Sequence, residues 1–396
     1  MRKLTLPIIA LLCVLPSHLM GQVVEKEYKP LLKSAKKSNS DALVVLKDGE
    51  KVVEYYSDNK TQKVQTMSVT KSVVGLAMAK LFSDGVIDSI DVPVAEYFPE
   101  WQQGQKKNIT IKHLMNHTSG LQNVASANVE INPAPDVLQL GLCASVVDTP
   151  GTEFSYNNKA VNILSGIIKK ASGKPIDEYL KSTIFTPMEI NDFTWGTDEK
   201  GNHYVMAGLG IHGDDLAKLG QLLLQDGSWN GQQLIDKTWT DRLLQQGSSL
   251  NFRSALLWWR IPKEKKYFIS DKHIKNMQES GLDQSMLSKV KDIKGEYDSQ
   301  GQLLKAFKSK FDSKQETFEF RQATIEKGIK PYGRKLSGPI VGYKATGDGG
   351  QYLVLYPKQN IVAVRLVDTG DNYNRKTDNF ANFPNMVYKV AQKAGR

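Results

Sequence analysis

Met67-Ser68-Val69-Thr70-Lys71-Ser72-Val73-Val74-Gly75-Leu76-Ala77-Met78-Ala79-Lys80-Leu81 is the stretch on which the reading of this chain turns. Val73, Leu76, Ala77 and Leu81 fall on one helix face and Gly85 stands where a stop belongs, so a helix is predicted from Met67 to Leu81. Upstream, the β-rich runs Ala42–Leu46 and Lys51–Tyr56 flank Lys47-Asp48-Gly49-Glu50, and an Asp-Gly turn in that setting predicts a hairpin. Downstream, Gln351–Tyr356 and Ile361–Asp368 alternate as two strands around a Pro357–Asn360 turn, and Asn379–Lys393 closes as an amphipathic helix. Between them the clearest helix is Asn158–Ala171, with a stripe of Val161, Leu164, Ile167 and Ile168 ended by Gly173-Lys174-Pro175. Strands at both ends with helices between predict an α/β (α+β) fold. One antiparallel sheet is built from both chain ends and flanked by helices, with a mostly helical subdomain in the middle.

Composition bounds the class. The chain has 396 residues, 40% apolar and 24% charged, with ordinary Gly and Pro, which excludes disordered, collagenous and coiled-coil proteins. Arg2 and Lys3 precede an apolar run from Leu4 to Pro16, the layout of a secretory signal peptide over residues 1–21 with cleavage near Gly21–Gln22. The run is too short for a membrane span, which needs about 20 apolar residues. A periplasmic or secreted protein is therefore expected, with no integral span after cleavage. Cys13 falls in the leader, which leaves Cys143 alone and no internal disulfide in the mature chain. The formal charge is +10, and residues 262–335 hold 17 Lys+Arg against 11 Asp+Glu. That segment reads as a solvated basic insertion, or as a surface for an acidic contact.

Three stretches hold candidate chemistry. Ser68 and Lys71 are three apart on a helix, so hydroxyl and ammonium can meet. Serine needs a neighbouring base, and lysine serves only when neutral. Ser34-Ala35-Lys36-Lys37 repeats the spacing in an exposed basic stretch, so context separates the two, and an N-capping serine with a surface lysine is the bland alternative. Tyr156 and Asn158 lie two apart at the end of Pro150–Asn158. Tyr156 can exchange protons with a leaving group, while Asn158 donates to substrate and accepts from Lys71. A core tyrosine with a capping asparagine is the alternative there. Gly347-Asp348-Gly349-Gly350-Gln351 enters a strand, where glycines admit a ligand to the backbone and a strand-edge N–H can serve an oxyanion hole; alone it means a turn or bulge.

Together, in this order, the three stretches resemble the serine β-lactamase and penicillin-binding-protein superfamily. Ile109–Leu121, with His117-Thr118-Ser119-Gly120-Leu121, is similar to a family segment, as are Gly208–Gly220 and Trp258-Trp259. The likeness covers roughly Ala42–Arg260 and Leu336–Lys393, and fits best with the class C-like branch of esterases, D-aminopeptidases, DD-peptidases and amide hydrolases. The resemblance implies Ser68 as acylated nucleophile, Lys71 as its proton acceptor, Tyr156 as shared base and acid, and Asn158 as its partner. The N–H groups of Ser68 and Gln351 would form the oxyanion hole, with Asp348 and Gly350 beside the substrate. No cofactor is implied.

Two departures stand out. Ser57-Asp58-Asn59 precedes the nucleophile, against the class A arrangement. Asp348 stands where the family usually has Lys or His followed by Thr or Gly, and an acid there should weaken binding of carboxylates, unless Lys344 restores a positive charge. There is no His-Glu-x-x-His zinc helix, and His113 and His117 read as structural; no metal is expected. Phosphate loops and dinucleotide fingerprints are absent, and nucleic acid is not an expected partner. The expectation is an exported serine hydrolase cleaving a small or peptide-like ester or amide through a Ser68 acyl-enzyme. The alternatives are a cell-wall DD-peptidase, and a catalytically inactive binding protein on the same fold.

Overall fold

A computed structural model describes residues 26–59, 62–124 and 126–394. The leader expected at residues 1–21 lies outside them. Strands β1 (Ala42–Lys47) and β2 (Glu50–Tyr56) form the expected hairpin, with Asp48 and Gly49 both at positive φ (55° and 85°), the backbone of a two-residue type I′ turn. The other strands of the main sheet are β3 (Trp259–Ile269), β4 (Gly295–Tyr297), β5 (Gly333–Gly347), β6 (Gln351–Tyr356) and β7 (Ile361–Leu366). Their order is β2-β1-β7-β6-β5-β3-β4, and every neighbouring pair is antiparallel. The N-terminal hairpin thus joins the C-terminal strands through β1 and β7, with Val44 opposite Val364.

Side chains alternate across this sheet, so each face needs a cover. On one face Leu43, Val45, Tyr352, Val354 and Ala363 pack under helices α1 (Lys29–Lys37) and, from the far end of the chain, Phe383–Ala394. On the other face Val44, Leu353, Leu355, Val362 and Val364 share one core with α2 (Thr70–Ser83), α3 (Asn158–Ser172) and α4 (Gly213–Leu224). Helix α4 lies directly on the strands because Gly220 has no side chain. A Cβ there would sit 2.7 Å from Val362 and 2.8 Å from Leu353.

Helix α2 differs from its expected form. A single apolar face predicts an amphipathic helix, yet Thr70 to Ala79 are all buried, polar Lys71 and Ser72 included. It is the axle between the sheet and the helical subdomain, and a helix enclosed all round need not be polar anywhere.

The basic segment at 262–335 also differs from a plain solvated insertion. Its first and last residues belong to β3 and β5, a long antiparallel arm. Beyond Ile269 the chain forms α5 (Asp271–Glu279), α6 (Gln284–Lys291), β4, α7 (Gln300–Lys310) and α8 (Lys314–Glu326). These enclose a separate core of Ile274, Met277, Leu287, Val290, Leu303, Phe307, Phe311 and Phe320. Several of its lysines are paired, Lys289 with Asp312 and Glu316, and Lys294 with Asp271. Among the described residues no helix is long and apolar enough to cross a membrane, and Cys143 is a free, exposed thiol.

Candidate active site

The first turn of the axle is shaped by strain and anchoring. Met67 takes φ 48°, a left-handed conformation costly for a side-chain-bearing residue, and opens the 3-10 turn Met67–Val69 that runs into α2. Thr66 and Thr70 fix that turn: Thr66 Oγ1 donates to Leu209 O at 2.9 Å, and Thr70 Oγ1 accepts from Leu209 N–H at 3.2 Å. Ser68 sits in this first turn, where an N–H has no partner inside the helix.

Lys71 follows one turn on. Its Nζ donates to Ser68 Oγ at 2.9 Å and to Met206 O at 2.6 Å. Met206 is held in turn by Asn162 of α3, whose Oδ1 accepts the Met206 N–H at 3.1 Å. Lys71 is only 2% exposed, which rules out the surface-lysine reading. Burial without a carboxylate pulls its pKa down to about 7. A large fraction is therefore neutral near pH 7 and able to accept the serine proton.

Tyr156 completes the cluster. It is hydrogen-bonded to Ser68, and burial raises its pKa, so the phenol keeps its proton at neutral pH. The Lys71 Nζ lies 5.0 Å from the centre of its ring. In this geometry Lys71 can accept a proton from Ser68, and Tyr156, which keeps its own, can donate one.

The same loop is tied from behind. His117 lies against the Tyr156 ring at 4.5 Å between centroids, and Trp259 stacks at 6.1 Å. His117 Nδ1 accepts the Asn157 N–H at 3.3 Å, so any proton on the neutral ring resides on Nε2. Burial, reinforced by the Lys71 charge, pulls the imidazole down to about 3. Asn123 Nδ2 donates to Tyr156 O at 2.9 Å. The narrow cleft over Ser68 is lined by Lys71, Ser72, His117, Tyr156, Trp259 and Thr346, among others.

The expected bond between Asn158 and Lys71 needs correction, and Asp348, Gly350 and Gln351 have neighbours outside the cleft lining. Asn158 does not accept from Lys71; Met206 O accepts that hydrogen bond, and Asn158 Oδ1 is buried without a partner. The cap of α3 is Asn157, whose Oδ1 accepts from Ala160 N–H at 3.1 Å. Asp348 points away from the cleft, 68% exposed, and binds Arg375 Nη2 through both oxygens at 2.8 and 2.7 Å. Gly350 faces the buried Arg365, which donates to its carbonyl at 2.8 Å and to Gly349 O at 3.3 Å. Gln351 is fully buried, its side-chain amide locked to Val367 N–H and Val367 O, which does not bear on the oxyanion role expected of its backbone N–H.

The strand beside Ser68 is instead the end of β5. A Cβ on Gly347 would lie 2.4 Å from Thr66 O and 3.0 Å from Met67 Cβ, so only glycine lets this strand pass the turn that carries Ser68. Thr346 and His117, with Ser72, Ser254 and Leu257, are lining residues that sequence reasoning does not reach as site residues. The signal for Thr346 was Gly347 directly after it; His117 gave only a segment likeness. Ser57-Asp58-Asn59 forms a turn after β2, at the opposite edge of the sheet. Among the described residues no group of His, Cys, Asp and Glu converges as metal ligands.

Known proteins share this architecture. The 6-aminohexanoate-dimer hydrolase of Paenarthrobacter ureafaciens is 25% identical over 232 residues, 53% of this chain and 58% of that protein. Protein flp of Staphylococcus aureus is 29% identical over 154 residues, 36% of this chain and 30% of that protein. The matched segments thus span 30% to 58% of those relatives' lengths. The octameric penicillin-binding protein homologue from Pyrococcus abyssi has the same fold, with a TM-score of 0.57 at 16% identity over 94% of this chain and 77% of that chain. The family model described as Beta-lactamase matches residues 24–382, most of the sequence, and the chain belongs to that family.

Proposed function

We propose that the chain is a serine hydrolase that cleaves an ester or amide through an acyl-enzyme on Ser68. The observation that carries this reading is the fully enclosed Lys71 amine donating to Ser68 Oγ at 2.9 Å, with no acid to hold it charged. A buried lysine with that environment is costly unless its neutral form is used.

In the proposed sequence Ser68 Oγ forms a bond to the carbonyl carbon while its proton passes to Lys71 Nζ. The tetrahedral oxyanion is met by backbone N–H groups, that of Ser68 and one at the end of β5. As the bond to the leaving oxygen or nitrogen breaks, Tyr156 gives it a proton and recovers one from Lys71. Water then attacks the acyl carbon by the same relay and restores Ser68. The leader expected at residues 1–21 adds export to the periplasm or beyond. The relative named as a 6-aminohexanoate-dimer hydrolase supports an amide as readily as an ester.

Intact mass after fluorophosphonate treatment tests this. One adduct on the native protein that is absent from Ser68→Ala supports an activated serine. No adduct on either protein overturns the reading.

A further inference from the structure

Most of the non-glycine residues at positive φ among the described residues are Asn or Asp, the side chains that tolerate it. Apart from Glu189, the exceptions are Met67, His117 and Leu257. Met67 directly precedes Ser68, and the other two line the cleft. Backbone strain in this molecule thus gathers around Ser68. Met67 opens the turn that carries Ser68, and His117 holds the Tyr156 loop. Leu257 has had no such task.

Ser254 pairs with Trp259 in an antiparallel bridge, and Ala255 N–H donates to Trp258 O at 3.0 Å. Leu256 and Leu257 are therefore the tip of a two-residue turn. The second tip position, at φ 60°, is one that Gly or Asn ordinarily fills. Such tips are ordinarily wet, yet Ala255, Leu256, Leu257 and Trp258 are each 5% exposed or less. Backbone bonds hold the tip inside. Leu256 N–H donates to Leu243 O at 3.1 Å, and Leu257 N–H to Met115 O at 2.9 Å. Leu257 O accepts from Oγ of the cleft-lining Ser72, on α2, at 2.6 Å. A glycine would make the same three bonds without strain, so the turn itself does not call for leucine. Packing in the main core returns part of the cost. What the side chain adds is bulk where the cleft ends.

That bulk matters because the cleft over Ser68 has a volume of only about 10 Å³. This is room for about one water, against roughly 300 Å³ or more in an ordinary ligand pocket. A methyl beyond the substrate carbonyl fits such a space. A longer chain has to push aside side chains packed at interior density, which do not yield cheaply.

We propose that Leu257 is a specificity-determining residue that walls the acyl end of the cleft, so that Ser68 takes acetyl-sized acyl groups in preference to long chains. This rests on the hydrolase reading of Ser68 and gives that reading its substrate class, esters or amides of the shortest carboxylic acids.

The test compares kcat/KM for 4-nitrophenyl acetate and 4-nitrophenyl hexanoate, which share a leaving group. The native protein should favour the acetate by about tenfold or more, and the ratio should fall about fivefold or more in Leu257→Ala and in Leu257→Gly. Leu257→Met keeps the volume and should retain the native preference. A native ratio near one overturns the proposal without need of a variant, as does a preference that the alanine and glycine variants leave unaltered. Thermal unfolding of those two variants tests the strain. At an ordinary position glycine is the less stable, but at this φ alanine keeps the steric cost and glycine loses it. Leu257→Gly should melt about 2 °C or more above Leu257→Ala, and the reverse order overturns the claim that leucine is held there against strain. If Ser68 takes no fluorophosphonate and neither ester turns over, the hydrolase reading falls and this inference with it. If Ser68 is labelled and the ratio is near one, the size selection alone falls.

Discussion

Lys71 Nζ lies 2.9 Å from Ser68 Oγ inside the protein, and burial alone, with no carboxylate, sets its titration near pH 7. The rate of Ser68 acylation by a fluorophosphonate or ester should accordingly rise with pH through about 7 and level off above it, because the neutral amine is the working form. Lys71→Arg keeps the charge but cannot give up its proton, so acylation should fall by about 10²-fold or more at every pH. Stopped-flow profiles of the two proteins check this. An unchanged rate in the arginine variant would remove Lys71 from the chemistry.

The same group makes a stability prediction of definite sign. The folded pKa is about 7 and the ordinary lysine value is 10.5, so between these the unfolded chain binds more protons than the folded one. Stability contributed by this site therefore rises with pH across that window and is lowest below it. Lys71→Met removes the titration. Its thermal midpoint, measured relative to the native protein, should be more favourable at about pH 6 than at about pH 9.5.

His117 predicts the acid limb. Its folded pKa is held near 3 against an ordinary 6.5, so its neutral, buried form favours the fold above 6.5 and that advantage drains away as pH falls toward 3. His117→Phe keeps a ring against Tyr156 and removes the titration. The native protein should lose stability steeply between about pH 6 and pH 4, and the variant should show a shallower slope. Parallel slopes would show that other groups control acid unfolding.

Gly347 constrains the turn that carries Ser68. Gly347→Ala places a methyl 2.4 Å from Thr66 O, and the backbone on one side must shift. The expected cost is about 1–3 kcal/mol of stability. Because the shift falls on the turn carrying Ser68, acylation should drop by about 10²-fold, more than the stability loss alone implies. Denaturant unfolding and labelling rates on the same variant separate the two effects.

What was legible in the sequence follows from range. The β1 and β2 turn depends on two adjacent residues, and the meeting of Ser68 with Lys71 on one helical turn, so both could be read from spacing. Met206, His117 and Thr346 reach the cleft from three distant segments, and no local pattern joins them. Strand β5 was hidden for another reason. Its 15 residues include Gly338, Pro339 and Gly342, and its pairing with β3 shifts register at Ser337, Ile340 and Gly342, which erases the alternation that marks a strand. With no alternation to mark β5, nothing local in the sequence places Thr346 beside Ser68.

The outward geometry of Asp348 can be put to a test. Gly349 and Gly350, at φ 76° and 94°, fold the chain sharply after β5, and Arg365 grips their carbonyls from inside the sheet. The turn so fixed throws Asp348 outward, where Arg375 on the following surface segment takes both its oxygens. A pair this exposed is screened by water and salt and contributes little. Asp348→Asn should therefore leave acylation of Ser68 within about twofold of native, and the thermal midpoint within about 2 °C. Had the carboxylate faced the cleft, removing its charge would have raised the preference for an anionic ester, 4-nitrophenyl monoadipate, over the neutral 4-nitrophenyl hexanoate, since a fixed negative charge there repels the anionic one. A rise of about fivefold or more in that preference would place Asp348 at the substrate after all and refute the outward geometry.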